Sequence, residues 1–148
     1  IIGMKERGNQ PVREYVGAVF AAGLAYLSAR GDIPREFTLV PAPTRPRSAR
    51  ARGGDPVAAV CHTAAQLQRV GVCAALSMGQ STADQSELNA QDRWANLQGR
   101  VRVHAPIARA PALLADDVVT TGATLAASIA ALQAAGVEVC GALVFADA

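Results

Sequence analysis

Residues 112–124 read ALLADDVVTTGAT. The small and apolar run Ala112–Ala115 predicts a buried strand, Ala112–Asp116, that ends in two adjacent acids, Asp116 and Asp117. Val118 and Val119 follow, and then a loop of threonines around a single glycine, Thr120–Thr124. Beyond it, Leu125, Ile129 and Leu132 recur at helical spacing until Gly136 closes the pattern. The loop therefore joins a strand to a helix N-terminus. Gly122 permits a tight turn there. Backbone N–H groups and threonine hydroxyls then converge on one spot, and the helix dipole favours negative charge at it. The loop lacks the Gly-Lys-Thr of a Walker A loop and is not GxGxxG.

The two acids need a different partner. Carboxylates repel a phosphate, but they accept hydrogen bonds from hydroxyl groups or hold a bridging Mg2+. A ligand with a phosphate at one end and a diol beside it satisfies both halves of the stretch. A ribose 5-phosphate is such a ligand.

The rest of the chain frames this stretch with alternating elements. Asn9 and Pro11 start a helix in which Val12, Val16, Val19, Phe20 and Leu27 recur at helical spacing, and Gly31 stops it. Phe37–Val40 is a short β-rich run. A loop from Pro41 to Gly54 follows, carrying Arg45, Arg47, Arg50 and Arg52. Asp55 and Pro56 pair as N-cap and first helical residue, and the helix they open ends near Gly71. Val72–Leu76 reads as a weak strand, Met78–Glu87 as a mobile loop, and Asn89 to Leu97 as a short helix. Val101–Val103 and Val137–Phe145 are further strands. Strands alternating with helices predict an α/β fold with a largely parallel sheet, ligands binding beyond the carboxyl ends of its strands.

Composition narrows the class. The 148 residues suit one domain, and a hydrophobic fraction of 51 % with a net charge of +2 describes a globular chain rather than a basic nucleic-acid binder. The three cysteines, Cys61, Cys73 and Cys140, are far apart and odd in number, which supports neither a disulfide framework nor a zinc knuckle. Free thiols in a reducing cytoplasm are the expectation. No apolar run reaches the length of a membrane span and no signal peptide opens the sequence. Position 1 is Ile, so residues ahead of it are expected.

The stretch Asp116-Asp117-Val118-Val119-Thr120-Thr121-Gly122-Ala123-Thr124 resembles the phosphoribosyl pyrophosphate signature of the type I phosphoribosyltransferases. Leu39-Val40-Pro41-Ala42-Pro43 with Arg50, Arg52 and Gly53, then Lys5, Arg7 and Gly8, and finally Gln85, Leu88, Arg93 and Asn96, resemble the ComF branch of that family. The likeness extends over roughly residues 2–145. It implies a mostly parallel twisted sheet flanked by helices on both faces. It also implies Mg2+-dependent transfer of ribose 5-phosphate from phosphoribosyl pyrophosphate to an unidentified acceptor, usually nitrogen. Asp116 and Asp117 would hold the ribose hydroxyls and Mg2+ at the catalytic centre. Val118, Val119 and Thr120–Thr124 would hold the 5-phosphate. Ala42, Pro43, Thr44, Arg45, Arg50 and Arg52 would hold the pyrophosphate, with Lys5, Arg7, Gln85 and Arg93 as further candidates.

Departures from the branch point to other readings. The Cys-rich zinc-binding segment usual ahead of the core is not seen, so it is expected to be absent from this chain. Gly54-Asp55 stands where Phe-Asn is frequent. Residues 76–83 carry no basic side chain before the Gln of the mobile loop, which bears on turnover more than on binding. One alternative is a non-catalytic protein of DNA uptake, competence or recombination that keeps the ligand pocket and works with partner proteins. Another uses the arginine group for nucleic acid; a third leaves it as a solvated loop. The apolar helix from Val12 to Leu27 offers a surface for a homodimer.

Overall fold

The computed structural model describes residues 10–51, 53–79, 101–107 and 110–147, with backbone alone for Gln10 and residues 46–48. In chain order the elements are α1 (Gln10–Arg30), β1 (Thr38–Pro41), α2 (Pro46–Ala51), α3 (Pro56–Gln68), β2 (Gly71–Val72), β3 (Leu76–Met78), β4 (Val101–Val103), β5 (Ala112–Val119), α4 (Ala123–Ala134) and β6 (Val139–Asp147). Local chemistry sets most helix ends. Gly31 turns out of α1 at φ +77, its N–H on Ser28 O, while Asp32 N–H reaches Leu27 O. Asp55 caps α3 by accepting from Val57 N at 2.9 Å and Ala58 N at 3.2 Å, with Pro56 in the first turn. Gly136 leaves α4 at φ +76.

Four strands form a parallel sheet in the order β2-β1-β5-β6. The pair β1 and β5 lies at its centre, in a register from Thr38↔Ala112 to Pro41↔Ala115. A separate two-stranded antiparallel sheet joins β3 to β4. The chain is thus α/β, as its alternating pattern predicts.

Side-chain alternation along the central strands divides the core. Leu39, Leu113 and Ala115 pack with Val16, Phe20 and Leu24 of α1 and with Val57, Val60, Cys61 and Ala64 of α3. Val40, Ala112 and Leu114 pack with Ala127 and Leu132 of α4 and with Leu76 and Val101 of the small sheet. Complete burial of Leu39, Leu113, Leu114 and Leu132 stabilises the fold by about 1.5–3 kcal/mol each. Phe20 of α1 stacks on Phe145 of β6 with ring centroids 6.3 Å apart, which ties the edge strand to the helix.

Four sequence expectations need correction. β5 runs three residues past Asp116, because β6 stays beside it and pairs Asp116↔Val144, Val118↔Ala146 and Val119↔Asp147. The ladder is made by backbone, so two acids do not end it. The stretch from Pro41 to Gly54 is not all loop: it contains α2, closed by Gly53 at φ +71 and Gly54 at φ +137. Its six residues are too few to show a period. The single strand expected over Val72–Leu76 is two, and Met78 belongs to β3 rather than to a loop. The helix expected between Asn89 and Leu97, and the loop after Gly79, lie outside the described residues. No helix among the described residues is long and apolar enough to cross a membrane.

Two glycines of α1 predict opposite outcomes. A Cβ on Gly17 would sit 2.5 Å from Thr63 Cβ, where α1 meets α3. Such overpacking costs about 1–3 kcal/mol, against a helix-propensity gain of about 1 kcal/mol. Gly17→Ala is therefore expected to lower the Tm. A Cβ on Gly23 would meet only Leu143 Cδ2, at 3.9 Å, so Gly23→Ala is expected to raise the Tm. Thermal unfolding of both variants checks the α1 packing.

Candidate functional site

The sheet order creates a crevice. The connection after β1 passes through α2 and α3 to β2 on one side of it, and the connection after β5 passes through α4 to β6 on the other. The two loops therefore diverge from the carboxyl ends of neighbouring parallel strands, the topological switch point where open α/β sheets hold ligands. Both loops that the sequence singles out start there.

The end of β5 presents its acids unequally. Asp116 is half-buried, and its Oδ1 accepts from Asp117 N at 2.8 Å. Asp117 is only 8 % exposed, and its Oδ1 accepts from Val118 N at 2.7 Å. Successive side chains of a strand point to opposite faces. Asp116 accordingly lines a pocket together with Val118, Val119, Thr120, Thr121, Gly122, Ala123, Thr124 and Leu125, and Asp117 is not part of that lining. The pocket's volume of ≈ 40 Å³ holds a few waters or a group of similar size. Leu125, which helical spacing alone places on α4, completes the wall.

The turn into α4 begins without a side-chain cap. Gly122 is the N-cap at φ 71, ψ 0, and as a glycine it offers no side chain to the first turn. That turn contains no acid. Thr120 and Thr121 are exposed, and Thr121 Oγ1 accepts from Ala123 N at a long 3.4 Å. One turn further in, Ser128 donates to Thr124 O at 2.7 Å and anchors the start of the helix. The other long helix beginning at this edge, α3, differs, because Asp55 supplies its own carboxylate to the N-terminus.

The β1 loop is held by backbone and by that same carboxylate. Ala42 N donates to Ala115 O at 2.7 Å, and Ala42 and Pro43 are buried. Thr44 Oγ1 donates to Asp55 Oδ1 at 3.0 Å, so the hydroxyl expected on pyrophosphate here fastens the loop to α3. Arg45 and Arg50 flank and lie within α2, and both are exposed. The other candidates, Arg52, Lys5, Arg7, Gln85 and Arg93, lie outside the described residues. Asp55 followed by Pro56 is the sequence signal for this cap; nothing local signals its bond to Thr44.

Among the described residues no group of three or more His, Cys, Asp or Glu is arranged to hold a metal ion. Among the described residues Asp116 is the carboxylate in the pocket's lining; alone it makes no protein cage and could give Mg2+ one oxygen ligand, the others coming from water or a bound ligand. Cys61 lies behind the site on α3. Burial, with the carboxylates of Asp55 and Asp116 adding to it, pushes its thiol from 9.0 up to about 12. Burial also raises the Cys140 thiol, which donates to Ala112 O at 3.3 Å.

No family model matches the chain, and no curated protein matches it.

Two outcomes follow from this wiring. Asp55→Ala removes one acceptor from three donors and is expected to cost about 2 kcal/mol, read from urea unfolding. At pH 8 an aromatic disulfide reagent is expected to react first at Cys73 and to leave Cys61 untouched until the protein unfolds. Because the folded Cys61 thiol keeps a proton that the unfolded chain releases, its contribution to stability is complete below pH 9.0 and is lost as pH rises towards about 12. Cys61→Ala is expected to flatten that alkaline decline.

Proposed function

We propose that this chain is a phosphoribosyltransferase that binds phosphoribosyl pyrophosphate with Mg2+ and transfers ribose 5-phosphate to a nitrogen acceptor. The observation that carries the reading is the pocket that joins Asp116 to the whole turn from Thr120 to Thr124, at the switch point of a parallel sheet. An anion cradle with a carboxylate beside it matches a phosphate with hydroxyls beside it. Within this reading the sheet is the twisted core of a type I phosphoribosyltransferase with helices on both faces. The division of the core between α1 with α3 and α4 with the small sheet supports it.

The roles follow from chemistry. Backbone N–H groups at the start of α4, with the hydroxyls of Thr120 and Thr121, take the 5-phosphate. Asp116 accepts hydrogen bonds from the ribose hydroxyls. Asp117, buried under the strand end, acts with Val118 N to fix the direction in which Asp116 and the turn leave the sheet. A lone pair of the acceptor forms the new bond to C1 of the sugar, and the C1–O bond pair departs with pyrophosphate. Arg45 and Arg50, exposed at the neighbouring loop, are the described cations available to that leaving group. When bound, Mg2+ would neutralise charge on the pyrophosphate.

A second reading keeps the binding and drops the transfer. Residues 76–83 carry no basic side chain, and Leu76–Met78 is committed to a strand. Charge that would hold pyrophosphate during transfer is missing from this part of the chain. Such a protein would use the ligand as a signal in DNA uptake or recombination.

Calorimetry with phosphoribosyl pyrophosphate tests the first step. Saturable binding that requires Mg2+ is expected, weakened at least about tenfold by Asp116→Asn and abolished by Gly122→Val, since a β-branched residue does not adopt φ +71 without strain. A folded wild-type chain that binds nothing sinks both readings. Binding without pyrophosphate release across a panel of nucleobases selects the second.

A further inference from the structure

α1 has a surface that the core does not use. Between Glu14 and Ser28 the helix carries no charged side chain, and its polar side-chain atoms are the hydroxyls of Tyr15 and Tyr26 alone. Its inward residues, among them Val16, Phe20 and Leu24, are buried. The outward ones are apolar as well, yet they stand in the open: Tyr15 is 69 % exposed, Val19 40 % and Tyr26 60 %. Alanines at 18, 22, 25 and 29 are exposed between them. A helix that is apolar all round is normally covered all round, and a continuous exposed apolar stripe marks an interaction surface.

We propose that this stripe packs against the same stripe of a second copy, antiparallel, about a two-fold axis through Ala22. The inference does not depend on the ligand proposed above. An isologous contact requires a surface complementary to itself, and the order of large and small residues meets that requirement. About this axis Tyr15 falls opposite Ala29 of the second copy, Val19 opposite its Ala25, and Tyr26 opposite its Ala18. Every large side chain meets a small one, and Ala22 meets Ala22 where the helices approach most closely. The charges agree: Glu14 falls opposite Arg30 of the second copy, so opposite signs close both ends of the stripe. A slide of one turn brings Tyr15 against Tyr26, large on large, and separates the two charges.

Tyr26 is also held ready. Arg30 donates to its hydroxyl at 3.0 Å and lies 5.4 Å from the ring centroid, while Asp32 holds Arg30 at 2.7 Å. An exposed aromatic side chain already fixed in one orientation loses little entropy on docking. One helix stripe is smaller than a standard interface, so association in the micromolar range is expected.

Sedimentation velocity over about 1–500 µM measures it, a range that brackets such an affinity. The wild-type chain is expected to pass from monomer to dimer with concentration. Ala22→Glu sets two carboxylates against each other on the axis and is expected to weaken the dimer at least about tenfold. Val19→Lys, on the same stripe, is expected to do the same. Both residues are exposed, so circular dichroism and the Tm measured at about 1 µM, where the wild-type chain is expected to be monomeric, are expected to stay at wild-type values. A chain that remains monomeric throughout overturns the proposal, and so does a dimer that both variants leave intact.

Discussion

The register between β1 and β5 is the constraint on which the rest depends. Leu39 and Val40 lie beside Leu113 and Leu114, all of them fully buried. A parallel pair at the centre of a sheet must be covered on both sides, and alternation sends Leu39 and Leu113 to one cluster, Val40 and Leu114 to the other. A slip of one residue would exchange the two sets and set each against the wrong helices. The same register brings Pro41 level with Ala115, and Ala42 N–H continues the ladder onto Ala115 O. Both loops at the crevice inherit their starting positions from it.

From that fixed edge the site is built by contrast between two helix starts. α3 begins with its own carboxylate, Asp55, shared among Val57 N, Ala58 N and Thr44 Oγ1. α4 begins with glycine and threonines and no acid. The first arrangement is complete in itself and stiffens the β1 loop. The second leaves a positive helix end facing a pocket that also contains Asp116. Stability is concentrated behind the crevice, where Cys61 and the leucines are buried, and the polar groups that suit a ligand stand in front of it.

Much of this was legible in the residues because it is local. Asp55-Pro56, Gly31 and Gly136 act through their own backbones and nearest neighbours, so their helix ends are readable one by one. The turn at Gly122 is readable for the same reason. Less of the site was legible. The hydroxyl of Thr44 faces Asp55, eleven positions away, and no periodic signal encodes that meeting. The adjacent acids look equivalent in the sequence, whereas the strand separates them into one that lines the pocket and one that is buried.

The sequence by itself determined the three long helices α1, α3 and α4, the strands β1, β4, β5 and β6, the order of these elements, and the residue types of the turn from Thr120 to Thr124, since propensity, capping and glycine conformation act over a few residues. Tertiary structure alone decided that β1 and β5 are neighbours, that the chain leaves them in opposite directions, and that β5 continues through both acids to Val119. The physical reason is that strand pairing is made by backbone groups, which every residue but proline offers alike. Which strands pair, and how far, is settled by the surfaces that must be buried together, and those are contributed by helices distant in the chain.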